Sequence, residues 1–156
     1  MNHDGYDDGY IAEILAGAKT IALVGASANA ARPSYAVMGY LLGKGYDVHP
    51  VNPGLAGKEI HGRLVYGCIT DVPAPVDFID VFRNAAAALE VTRTAIREKD
   101  RLGIEAIWMQ IGVRNDEAAA EAEAAGIRVV MNHCPKIEYP RLEQRIAELR
   151  AASKSG

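Results

Sequence analysis

Apolar and polar positions along the chain follow two periods. Short apolar runs recur at Ile21–Val24, Asp47–Val51, Val76–Phe82, Glu105–Met109 and Ile127–Met131, and their length and β-branched content predict strands. Segments with helical periodicity separate them: Tyr35–Leu42, a stretch from Asn84 to about Leu102 closed by Gly103, and one from Asn115 to Gly126. Asn84 and Asn115 stand where N-caps stand, and Asp116 and Glu117 fall in a first turn, where the helix dipole favours acids. Asp7 or Asp8 can cap a leading helix to about Leu15, with Ile11, Ile14 and Leu15 on one face. Pro140 can start a final helix to about Arg150, using Leu142, Ile146 and Leu149. Residues 1–7 read as a loose tail and residues 151–156 as a frayed end. Lys58 to Gly67 reads as loop with room for a short strand, and Asp71–Pro75 as a turn.

Strands that alternate with helices at this spacing make right-handed βαβ units and a parallel sheet. The expectation is a three-layer Rossmann-like α/β fold with a five-stranded parallel sheet in the order 3-2-1-4-5. It forms a single domain over residues 1–156, with its core from about 19 to 142. Ligands of such sheets bind beyond the carboxyl ends of the strands. That rule gathers Gly25–Ser34, Asn52-Pro53, Phe82-Arg83, Gln110–Gly112 and Asn132–Pro135 on one edge.

Composition narrows the function classes. The 156 residues are 49 % hydrophobic and 24 % charged, as in an ordinary globular protein. A net charge of −3 argues against general nucleic-acid binding. No apolar run approaches the roughly 20 residues needed to span a bilayer. The acidic start MNHDGYDDGY is unlike a secretory signal, and Cys68 and Cys134 make no disulfide framework, so a reduced, cytoplasmic protein is expected. Four histidines and two cysteines show no metal-ligand spacing.

The chemistry concentrates in Thr20–Tyr40. A strand runs into a turn at Gly25, a small-residue loop follows, and Arg32-Pro33-Ser34 opens a helix. Unpaired N–H groups and the helix dipole make that N-terminus a seat for phosphate, provided the loop lets the backbone come close. Gly25, Ala26 and Ser27 leave the space, Ser27 and Ser34 add hydroxyls, and Arg32 adds a charged fork of donors. The dinucleotide fingerprint G-x-G-x-x-G is absent, since Ser27 and Ala30 stand where glycines are needed, and so is the P-loop pattern. A nicotinamide dinucleotide also calls for an acid after the second strand. Asp47 lies at the start of that strand, and its end, Val51-Asn52-Pro53, has none. What remains is a phosphate site with two arginines, Arg32 and Arg83.

Several motifs then carry a resemblance: VGAS…RPS, GYDV-x-PVNPGLAGKEI-x-G, DVP-x-PVD, IDVFRN, W-x-Q-x-GV-x-N and VM-x-x-CPKIEYPRL. Together they resemble the small bacterial CoA-binding proteins, relatives of the CoA-binding domain of the succinyl-CoA synthetase alpha subunit, over about Lys19 to Leu142. The resemblance implies a Rossmann-type domain that binds coenzyme A or an acyl-CoA, with no established reaction. It implies that Gly25, Ala26 and Ser27 with Arg32 and Ser34 hold CoA phosphates, with Pro33 in the same cofactor-binding segment, and that Asn52, Pro53, Phe82 and Arg83 line the nucleotide part of the groove, with Gln110 on the same edge. The chain departs from the family at Asn132-His133, where an Asp-Arg pair is frequent.

Each residue also has a plainer role. Arg32 could be a solvated loop charge, and Arg83 could pair with a carboxylate. Ser27 and Ser34 could cap the turn and the helix, and Phe82 and Trp108 sit on strands and read as core. His49 reads as packing, His61 as loop and His3 as tail. His133 and Cys134 suggest a thiol beside a base, yet neighbours after a strand point apart. Three hypotheses follow: a CoA-binding module without an active site of its own; a nucleotide-dependent oxidoreductase or acyl-CoA enzyme using the same groove; and a subunit that docks, CoA-loaded, onto another copy or an acyl-CoA-related protein. No membrane or nucleic-acid partner is expected.

Overall fold

The computed structural model describes residues 1–155. It places β1 (Thr20–Val24), β2 (Asp47–Val51), β5 (Phe78–Val81), β6 (Ala106–Met109) and β7 (Arg128–Val130) in one parallel sheet, ordered β2-β1-β5-β6-β7. A two-residue hairpin, β3 (Glu59–Ile60) and β4 (Arg63–Leu64), falls inside the segment expected to be loop. Helices α1 (Asp8–Gly17), α2 (Pro33–Gly43), α5 (Pro135–Arg141) and α6 (Glu143–Ser155) cover one face, where Ile21, Leu23, Phe78, Trp108 and Val130 form the core. Helices α3 (Ala85–Leu102) and α4 (Asp116–Ala124) cover the other, packed on Ala22, Val24, Ile79, Val81, Ile107 and Met109. This is the three-layer Rossmann-like α/β architecture.

The strand order differs from the expected 3-2-1-4-5. Counting the five sheet strands along the chain, it is 2-1-3-4-5. The reason lies in Pro50, which has no N–H for a second neighbouring strand and so belongs on an edge. Its carbonyl points outward to Tyr66 N–H at 2.9 Å, and Leu23 is its register partner on the inner side. β1, β5 and β6, buried at every position, take the inner places, with β5 at the centre.

Both ends of the chain are better ordered than expected. Residues 1–7 are pinned rather than loose: His3 Nε2 lies 2.7 Å from Glu123, Arg114 bonds Asp4 at 2.9 Å, and Tyr6 Oη accepts from Met131 N–H at 2.8 Å. The last helical segment starts at Pro135, not Pro140. Pro135 takes the first-turn position that needs no N–H, and Pro140 sits in the last turn of α5, just before the break at Leu142. Residues 151–155, expected to fray, continue α6.

Candidate functional site

The carboxyl ends of β1, β2, β5 and β6 meet in one open cleft of about 420 Å³. Gly25, Ala26, Ser27, Arg32, Pro33, Ser34, Asn52, Phe82, Arg83 and Gln110 line it, together with Ile111 and Val113. Of the residues singled out in the sequence, Pro53 stands outside the lining, in the 3-10 turn Pro53–Leu55 behind Asn52. Ile111 falls in the Gln110–Gly112 segment expected on this edge, whereas Val113 was not anticipated. Its signal was present, since the chain after β6 must cross the same edge as the loop after β1.

The loop from Gly25 to Arg32 is shaped by its backbone. Gly25 has φ +90°, and a Cβ there would stand 2.6 Å from Phe82 O and 2.9 Å from Phe82 C. Only glycine lets the end of β1 lie this close to the end of β5. The amides of Gly25 and Ala26 both bond Val51 O, at 3.0 and 3.2 Å, so β2 fixes the turn. Asn52 completes the brace: its Nδ2 donates to Ala26 O at 2.8 Å and its Oδ1 accepts from Gly54 N–H at 2.9 Å. Ser27 Oγ accepts from Asn29 N–H, and Asn29 Oδ1 from Ala31 N–H, which shapes the loop up to Arg32. Arg32 is the N-cap of α2 without a side-chain capping bond, Pro33 opens the helix, and Ser34 is buried in its first turn.

Charge in the cleft is unpaired. Arg93, Arg101, Arg114 and Arg141 are each tied to carboxylates of the fold. Among the described residues, Arg32 and Arg83 have neither an ion pair nor a side-chain hydrogen bond, and both are exposed at the cleft. The aliphatic stem of Arg83 runs over the Gly25 turn, with Cδ 3.1 Å from where a Cβ would be. Two arginines thus flank a glycine turn at a helix N-terminus, a donor set suited to phosphate oxygens. The lining also has neutral side chains, Gln110, Ile111 and Val113 from the chain after β6. Phe82 is half-buried and belongs both to the wall and to the packing, while Trp108 is wholly core, with Nε1 donating to His133 O at 2.9 Å.

Other candidates fall elsewhere. Asp47 lies at the amino end of β2, paired with Arg63, and is not part of the cleft lining. His49 is half-buried with its ring edge-on to Tyr66 at 5.6 Å, and burial holds its pKa below the usual imidazole range. His61 packs on Tyr35 and meets Tyr35 O at 2.8 Å. Cys134 is buried at the head of α5. His133 turns the other way, with Nδ1 donating to Met131 O at 2.7 Å and its ring against Tyr6. Neither lines the cleft. Asn132 adopts φ 60°, a conformation Asn tolerates, and its Oδ1 accepts from Gly112 N–H at 2.7 Å, so it braces the loop that carries Gln110. A second cleft, of about 450 Å³, lies at the amino ends of the strands and includes Lys19, Lys44, Arg150 and Lys154. Its charge is partly engaged within the fold, Lys44 with Glu143 and Arg150 with the Leu15 and Ala16 carbonyls.

Residues 19–140 match the CoA binding domain family. The chain belongs to that family. It is 31 % identical over 129 residues to the uncharacterized protein YneT of Bacillus subtilis, covering 83 % of this chain and 91 % of that one. It also resembles the solved structure of a hypothetical protein from Pyrococcus horikoshii, at 39 % identity and a TM-score of 0.82, covering 91 % and 96 % of the two chains. A likeness of fold alone, at 24 % identity and a TM-score of 0.63, extends to the dinucleotide forming acetyl-coenzyme A synthetase 1 of Ca. Korarchaeum cryptofilum, where 77 % of this chain covers 27 % of the larger one. No helix among the described residues is long and apolar enough to cross a membrane.

Proposed function

We propose that the cleft at the carboxyl edge binds coenzyme A or an acyl-CoA, and that the chain is a binding module for it. The observation that carries this reading is the pair of unpaired arginines, Arg32 and Arg83, flanking the Gly25 turn at the start of α2. The residues fit the ligand's two halves. Phosphates meet the N-terminus of α2 and the arginines, beside a loop whose Gly25, Ala26, Asn29, Ala31 and Arg32 amides are already bonded within the fold. The neutral pantetheine arm meets Gln110, Ile111 and Val113. The ribose needs no carboxylate, and the end of β2 offers Asn52, whose side chain is already bonded to the loop. The binding-module reading is supported by a lining in which neither His133 nor Cys134 takes part.

A second reading, an acyl-CoA enzyme that uses the same groove, is favoured by the shared fold with one part of the acetyl-coenzyme A synthetase. Native mass spectrometry of the purified protein separates the readings from their rivals. A co-purified species with the mass of CoA or an acyl-CoA is expected. A nicotinamide or flavin nucleotide in its place would overturn both.

A further inference from the structure

Among the described residues, the buried side-chain polar atoms without a hydrogen-bonding partner are both carboxyl oxygens of Asp80, Thr92 Oγ1 and Gln110 Oε1. Thr92 belongs to α3, on the far face of the sheet. Asp80 and Gln110 share a place. Asp80 sits in the middle of the sheet, with Leu23 and Trp108 as its register partners on the two neighbouring strands, and is 0 % exposed. Strand alternation puts its side chain on the face of Phe78, Leu23 and Trp108. Gln110 follows Trp108 by two residues, and its N–H still bonds Val81 O at 3.1 Å. The alternation therefore continues one residue past β6, and Gln110 lies on the same face, diagonal to Asp80 on the adjoining strand. Gln110 is also part of the cleft wall.

The two groups are chemically complementary. Burial, with no cation or hydrogen bond to offset it, pushes the Asp80 carboxyl well above the usual carboxylate range. A protonated carboxyl has one O–H to give, and Gln110 Oε1 is an acceptor without a donor. A carboxamide whose oxygen is held inward presents its N–H groups outward.

We propose that Asp80 is a positioning residue that acts through Gln110: its hydroxyl donates to Gln110 Oε1 across the β5–β6 step and turns the carboxamide N–H groups into the cleft, toward an acceptor on the ligand. The two side chains project from hydrogen-bonded neighbouring strands, Gln110 two residues beyond the register partner of Asp80. The ligand half of this inference rests on the reading of the cleft as a CoA site. The acceptor it selects is a carbonyl oxygen of an amide or thioester, since the side chains that follow Gln110 into the lining, Ile111 and Val113, are neutral and apolar.

The test uses wild type, Asp80→Leu, Asp80→Asn, Gln110→Leu and the Asp80→Leu/Gln110→Leu double variant. CoA affinity is measured by calorimetry, and the Gln110 side-chain amide is followed by NMR. Asp80→Leu should weaken CoA binding by about tenfold, the scale of one hydrogen bond. The double variant should be no weaker than Gln110→Leu, and Asp80→Asn, which keeps a donor, should stay near wild type. Losses that add in the double variant, or full affinity in Asp80→Leu, would overturn the proposal. In the free protein, the Gln110 amide resonances should move in Asp80→Leu and return toward wild type in Asp80→Asn. Resonances that stay in place would also overturn it, even if wild type proved not to bind CoA, a result that by itself would refute only the CoA reading.

Discussion

Arg32 shows how a single side chain can be free for a ligand because the fold does not need it. Its backbone shapes the start of α2, accepting from Tyr35 N–H at 3.1 Å and donating to Asn29 O at 2.9 Å, while its guanidinium bonds to nothing among the described residues. Arg32→Ala should therefore leave thermal unfolding unchanged and weaken CoA binding. A charge-assisted hydrogen bond is worth about 1.5–3 kcal/mol, so the loss should be roughly ten- to a hundredfold by calorimetry. Unchanged affinity in the folded variant would remove Arg32 from the site. This residue and Gly25 were legible in the sequence because each stands at a junction, strand to turn and loop to helix, where residue type maps directly onto backbone chemistry. Asn132 was not. Its hold on Gly112 depends on a left-handed backbone after β7 that the sequence pattern does not reveal.

Among the elements, the two edges of the sheet explain what sequence patterning conveyed and what it did not. β2 declares itself an edge through Pro50, a signal that apolar periodicity overlooks because it counts burial and not N–H groups. Chain 65–66 covers that edge, with Tyr66 bonding both Pro50 O and Asn52 N–H at 2.9 Å. The β7 edge is covered by α1 and the segment before it. Tyr10 Oη donates to Val129 O at 2.8 Å and accepts from Val129 N–H at 2.9 Å, and Tyr6 takes Met131 N–H. Burial raises the pKa of both phenols, Tyr6 to about 12. An open strand edge invites pairing with another chain, and hydroxyls that occupy its backbone groups prevent this. Tyr10→Phe leaves both Val129 groups unpaired. It should cost about 1–3 kcal/mol in urea denaturation and speed amide exchange at Val129. Unaltered stability and exchange would show that the phenol is incidental. No sequence signal marked residues 1–7 as structural, because the contacts of His3 and Tyr6 run to residues more than a hundred positions away.

For the molecule as a whole, fold class followed from alternation of elements, whereas strand order required knowing which strand could accept two neighbours. The same central position that makes β5 a good core strand carries Asp80, and this has a consequence for pH. Asp80 binds its proton more tightly when folded than in the unfolded chain, where the value is about 3.9. Between those two values the folded state holds the extra proton. Its contribution to stability is thus fully present below about pH 4 and is lost as pH rises through the raised folded value. Asp80→Asn has no such proton. The stability difference, variant minus wild type, should therefore grow from acid toward neutral pH in denaturation midpoints taken across that range. A difference that does not change with pH would mean that Asp80 keeps an ordinary pKa.

The central claim is that the cleft is a coenzyme A site defined by unpaired arginines and a glycine turn, with no acid after β2 to recognise a dinucleotide ribose. Calorimetric titration of the wild-type protein with CoA and, separately, with NAD⁺ tests it most directly. The account predicts saturable binding of CoA and much weaker binding of NAD⁺, with the preference reduced by Arg32→Ala. Equal or tighter binding of NAD⁺ would contradict it.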